Sequence, residues 1–235
     1  MTEPAVALSD YALTVEAFVL AWMLQRARGQ RTRLRAWFTV FFVSAGVAAF
    51  CGGTVHGFYH DKQDVGHVIL WKATLLATGA TALSTWAIGA ELLSSRRIKR
   101  MILAAAYAQL VIFSVVVVLY ADAFWVAIVL NIPAVLFLLF VVIVSYPRYR
   151  HSALLMIAFA LVLTLCAALL QQLQVGLHRV YFDHNVVYHL LQAVVLYLFF
   201  LGARHLCSVK SIELRGSAGN AVAVDSGASS IVPGD

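Results

Sequence analysis

"MLQRARGQRTRLRAWFTVFF", residues 23–42, decides how this chain folds. An apolar run stops, five arginines fall between residues 26 and 35, and an apolar run resumes. The same punctuation recurs in "SSRRIKR" (94–100), in "SYPRYRH" (145–151), and after Cys207. Between these basic stretches the chain is almost free of charge. Over all 235 residues, 62% are hydrophobic and 12% charged, against roughly 25% charged in ordinary soluble domains. So little charge leaves too little polar surface to cover a soluble globule, so the chain reads as an all-α integral membrane protein.

Seven apolar segments can be drawn, at about 8–25, 37–59, 66–93, 101–120, 123–145, 152–174 and 185–206. Each is long enough to cross a bilayer as a helix. Of the 17 Lys and Arg residues, 14 fall in alternate connections, in the tail or, as Arg204, in the last turn leading into it. Lys62 and Arg179 fall in the other set, and Lys72 lies inside the third segment. Basic residues collect on the cytoplasmic side. The expectation is a seven-helix bundle with its N-terminus outside and its C-terminus in the cytoplasm. "MTEPAVALSD" has no basic n-region, so the first segment is expected to remain as a span. Residues 1–206 form the transmembrane domain. Residues 207–235, rich in Gly, Ser and Ala, read as a disordered cytoplasmic tail. The net charge of +6 belongs to the loops and implies no nucleic-acid partner. Cys51, Cys166 and Cys207 are far apart and make no disulfide or Cys-x-x-Cys framework.

This topology sorts the histidines. His56, His60, His67, His178, His184 and His189 fall at or near outer span ends; only His151 and His205 fall on the cytoplasmic side. In "CGGTVHGFYHD" (51–61), His56 and His60 are four apart and share a helix face, a spacing that suits two imidazoles converging on one metal ion or polar cavity. A second cluster, "FDHNVVYHLLQ" (182–192), holds Asp183, His184, Asn185 and His189. His184 and His189 are about 140° apart on a regular helix, so His184 reaches the same point only from before the first turn. Asn185 and His189 share a face. Gly52, Gly53 and Gly57 around His56 allow close approach of a helix or a ligand. Glu16, Lys72, Gln109, Asn131 and Gln192 are the other polar groups inside spans, where an ionisable side chain costs about 2.5–3.5 kcal/mol at the helix centre. Glu16 is placed to pair with Lys72 or a histidine. Gln109 and Asn131 are placed to bond between helices. Tyr59 and Trp71 read as interfacial aromatics.

Seven spans with "GGTVHGFYH" and "FDHNVVYHLLQAV" resemble the superfamily of alkaline ceramidases and progestin–adiponectin receptors, and within it an uncharacterised bacterial branch. The resemblance implies a multi-pass protein of the bacterial inner membrane, acting as a zinc-dependent hydrolase on a lipid amide or ester near the outer face. It implies zinc held by His56 and His189 with His60 or His184, and Asp61, Asp64 or Asp183 moving the proton. The pattern departs from the superfamily's in three places. Gly52 stands where a serine precedes the span-two histidine. Asp64 and His67 stand where an aspartate opens span three. Asn185 and His189, with His184 beside them, replace a histidine pair in span seven. The competing expectations are a receptor or scaffold with a closed structural metal site, a haem-binding electron carrier, and a proton-coupled transporter.

Overall fold

The computed structural model describes residues 3–27, 32–59, 61–121, 123–178 and 182–208. Seven helices follow one another: α1 (Pro4–Arg26), α2 (Thr32–Phe58), α3 (Val65–Leu92), α4 (Arg96–Leu119), α5 (Phe124–Tyr149), α6 (Ser152–Gln172) and α7 (His184–Ser208). All seven are long and apolar enough to cross a membrane. The chain is a multi-pass integral membrane protein. Their lengths of 21–28 residues correspond to about 31–42 Å, enough for a hydrocarbon layer of about 30 Å. Helices satisfy their backbone groups internally, as lipid requires. α7 runs to Ser208, two residues beyond the expected domain end. Residues 209–235, expected as a disordered tail, lie outside the described residues.

Local signals set the helix starts. Pro4 opens α1, where its missing N–H costs nothing. Asp64, Ser95, His151 and Asp183 each accept a bond from a first-turn amide, of Gly66, Ile98, Ala153 and Val186 respectively. Such side chains satisfy amides that a helix leaves unpaired. α5 ends at Arg150 in a left-handed conformation (φ 43°).

Six helices form a ring: α1 packs on α2, α2 on α3, α3 on α5, α5 on α6, α6 on α7, and α7 closes on α1. α4 stands outside and lies against α3. Its start meets the end of α3 through Lys99 Nζ and Glu91 Oε2 (3.1 Å). Its end meets the start of α3, where Lys72 Nζ donates to the Val118 carbonyl (2.9 Å).

The two ends of the ring differ. Toward the ends of α1, α5 and α7 and the starts of α2 and α6, the interior is filled. Phe38, Phe42 and Phe199 are fully or almost fully buried, and Phe199 meets the other two edge to face, with Phe38–Phe199 ring centroids 5.2 Å apart. This will be called the basic end. At the opposite, histidine end, α1 is pressed onto α2 at Gly53. A β-carbon there would lie 2.7 Å from Asp10 Cβ and 3.3 Å from the Ala7 carbonyl oxygen. Only hydrogen fits, the small-residue contact typical of helices in lipid.

Candidate functional site

At the histidine end the ring encloses a cavity of about 330 Å³, lined by all helices except α4. This is within the range of small-molecule sites, about 300–1,000 Å³. His56 from α2 and His189 from α7 both line it, although 133 residues separate them in sequence.

Each imidazole is held by a partner from the start of α1. His56 Nδ1 is 2.6 Å from Glu3 Oε2, and the Glu3 amide donates to the His56 carbonyl (3.3 Å). His189 Nδ1 is 2.8 Å from Ser9 Oγ, and His189 Nε2 is 3.3 Å from Asp10 Oδ1. Ser9 Oγ also donates to the Val6 carbonyl (2.8 Å). The serine's single hydrogen is thereby used, so His189 Nδ1–H donates to Ser9 Oγ. Nε2 then faces the Asp10 carboxyl, and one proton lies between them, on either partner. Asp10 and the His189 side chain are almost fully buried. A buried ionisable pair of this kind needs both members, because removing one leaves the other uncompensated. Trp71 covers the group, its ring 6.3 Å from the rings of both His56 and His67 and 6.2 Å from Phe124.

The walls are mainly apolar; among the polar side chains that line them, along with Asn185, Tyr188 and Gln192 of α7, one row stands out. Thr74, Thr78, Thr81 and Thr85 recur at helical spacing along α3 and all line the cavity. Each hydroxyl donates to a backbone carbonyl of its own helix, at 2.6–3.0 Å. Asn131 on α5 donates likewise to the Ala127 carbonyl (2.9 Å). Gln109 bonds across from α4 to the Leu130 carbonyl of α5 (3.1 Å).

The remaining expected site residues are distributed as follows. Asp64 and Asp183 cap α3 and α7, and Asp61 Oδ1 accepts from the Gln63 amide in the turn before α3. None of the three lines the cavity, and neither does His184, the first residue of α7. His60 lies outside the described residues. His67 Nδ1 bonds to the Tyr59 carbonyl (2.7 Å). Glu16 lies off the cavity with no hydrogen-bond or ion-pair partner among the described residues, and Lys72 serves α4 instead.

Ser9, Asp10 and the threonine row were not picked out from the sequence. Asp10 was legible as a second acid in "LSDYALTVE", six residues before Glu16 and hence on a different face. The threonines were legible as a polar stripe at i, i+4, i+7 and i+11. Among the described residues no three His, Cys, Asp or Glu side chains come close enough to hold a metal ion. Of the four histidines expected as zinc ligands, two meet at the cavity.

Fold and site together define a seven-helix membrane protein with an intramembrane cavity and a paired histidine–carboxyl mouth. The chain belongs to a family of unknown function, DUF6962, whose family model matches residues 5–208. No curated protein and no solved structure matches it.

Proposed function

We propose that the protein takes an amphiphile into the ring, polar group at the mouth and apolar chain against the inner walls. One observation carries this reading: a cavity of about 330 Å³ with its ionisable groups, Asp10, His56 and His189, gathered at one end. Pockets of mainly apolar lining with a few convergent polar groups are the usual form of such sites. The alternation of basic connections supports a mouth that opens at the outer face, in a protein we read as belonging to a bacterial inner membrane. Membrane lipids are then both its surroundings and the source of its ligand. Mass spectrometry of amphiphiles retained by the purified chain tests this. The expected result is a stoichiometric long-chain compound, diminished in Ala168→Phe, which fills the inner wall. A chain that retains and rebinds no amphiphile overturns it.

A second reading is hydrolysis of a lipid amide or ester at the same mouth. The Ser9–His189–Asp10 chain supports it, because a held imidazole sharing a proton with a cavity-facing carboxyl is equipped for general acid–base work. His56 and His189 would supply two ligands to a zinc ion, which when bound makes hydroxide at neutral pH. The Nδ1 atom of His56 is already engaged, as second-shell bonds engage metal-ligating imidazoles, whereas His189 Nε2 would have to exchange Asp10 for the metal. Turnover of N-acyl and O-acyl lipids, lost in His189→Ala, together with elemental analysis for zinc, tests this reading. No turnover with a retained ligand leaves a receptor.

A further inference from the structure

Hydrogen-bonding groups line the cavity at two depths. At the mouth, Asn185, Tyr188 and Gln192 of α7 accompany the histidines and Asp10. Thr74 of α3 belongs to this level: Thr74 Oγ1 and Asp10 Oδ2 each lie 3.8 Å from where a β-carbon on Gly52 would stand. Thr81 follows seven residues along α3, about 10 Å deeper. There it meets Asn131 of α5, with Thr81 Oγ1 3.5 Å from Asn131 Oδ1. Both residues line the cavity, and α2 lines the same stretch with Ala45, Ala48 and Ala49, whose small side chains leave room for a ligand.

The deeper pair has bonding capacity to spare. Asn131 Nδ2 donates one hydrogen to the Ala127 carbonyl (2.9 Å), which fixes which way the amide points. Its second hydrogen meets no acceptor among the described residues. The Thr81 hydrogen goes to the nearer Thr78 carbonyl (2.6 Å). Thr81 Oγ1 and Asn131 Oδ1 therefore keep lone pairs. One donor and two acceptors stand together at this depth, and neither side chain ionises. A polar group buried without its bonds costs free energy, and the bond to its own helix recovers only part of that cost for Asn131.

We propose that Thr81 and Asn131 form a second subsite, which binds a neutral hydroxyl carried on the ligand's apolar chain about 10 Å from its polar head. This rests on the reading that the cavity takes an amphiphile, and adds a position on its chain. A hydroxyl accepts from Asn131 Nδ2 and donates to Thr81 Oγ1 or Asn131 Oδ1, so it uses both kinds of spare capacity. A carbonyl would use the donor alone. A charged group would lie uncompensated, because the ionisable side chains that line the cavity, Asp10, His56, Tyr188 and His189, are gathered at the mouth.

The test uses the full chain in neutral detergent and calorimetric titration. Three twelve-carbon chains are compared: unsubstituted, with a hydroxyl on carbon 3, and with a hydroxyl on carbon 9. Each is offered with a carboxylate, an ammonium and a neutral glyceryl-ester head, and chains are compared only within one head group. The two hydroxylated isomers have the same composition, so their difference reports position. Two hydrogen bonds in place of none should make the 9-hydroxy isomer bind about tenfold more tightly than the 3-hydroxy isomer. Asn131→Leu should erase that preference while the unsubstituted chain still binds. Thr81→Val keeps the side-chain shape and should reduce the preference with the unfolding temperature unchanged; should Asn131→Leu fail to fold, this variant decides. Equal binding of the two isomers overturns the subsite and leaves the cavity reading standing, as does a preference that survives in the folded variants. Failure of every compound to bind overturns both.

Discussion

The half of the ring around Phe38 and Phe199 is filled, and the half around Asp10 and His189 is hollow. The same seven apolar helices make both. At the basic end, aromatic rings meet at centroid distances of 4.7–6.4 Å, and the buried Ser44 hydroxyl beside them is satisfied by carbonyls of its own helix. At the histidine end the ring leaves a cavity even though α1 lies tight on α2, and the start of α1 supplies the polar side chains that hold two imidazoles at the mouth. A membrane bundle gains little from expelling lipid tails, which are as apolar as its own side chains, so packing and hydrogen bonds decide where it is tight. The difference teaches that stability is concentrated at one end, leaving the other free to carry a ligand.

Four substitutions can break or sharpen this contrast. Phe38→Ala empties the filled half and should cost about 3–5 kcal/mol, read as a large fall in the unfolding temperature in detergent. An effect no larger than that of a mouth substitution would erase the distinction. Gly53→Ala strikes the tight contact at the histidine end where α1 crosses α2. Overpacking there should cost about 1–3 kcal/mol and push Asp10 away from His189, seen as loss of amphiphile binding along with stability. Asp183→Ala removes the cap of α7 outside the cavity. The expected loss is about 1 kcal/mol, with binding affinity retained; a collapse of binding or turnover would return Asp183 to the working site. Smallest of all, Gly52→Ala should leave stability unchanged or raise it by up to about 1 kcal/mol, since alanine is the better helix former. Its whole effect should fall on the ligand.

Much of the fold was legible because membrane helices announce themselves by length and by the charges between them. The expected and observed segments agree in number, and most of their ends agree within a few residues; α1, α2, α4 and α5 extend further, into polar or basic flanks. His56 and His189 were legible as well, since ionisable groups stand out in apolar runs. Less legible was what they touch. His184 and Asp183 adjoin His189 in sequence, yet the start of α7 turns them into its first residue and its cap. Asp64 and Asp61 likewise serve the turn before α3. Polar residues next to a span end are as suited to capping as to chemistry, and only the path of the chain separates the two. Ser9 and Asp10 were hidden for the converse reason. They lie in α1, whose pairing with α7 is a ring closure that no local pattern records. Trp71, read as an interfacial aromatic, in fact lines the cavity beside His56, because α3 turns that face inward.

The helix outside the ring has a role that its packing does not reveal. α4 gives the cavity no side chain, yet it carries the chain back across the bilayer, so that α5 starts beside Trp71 with Phe124 leading and Asn131 following. Remove that crossing and every later helix would enter from the wrong side, with His189 at the filled end and Phe199 at the hollow one. Beyond the contacts that dock it on α3 and α5, its constraint is therefore one of parity: it must cross once.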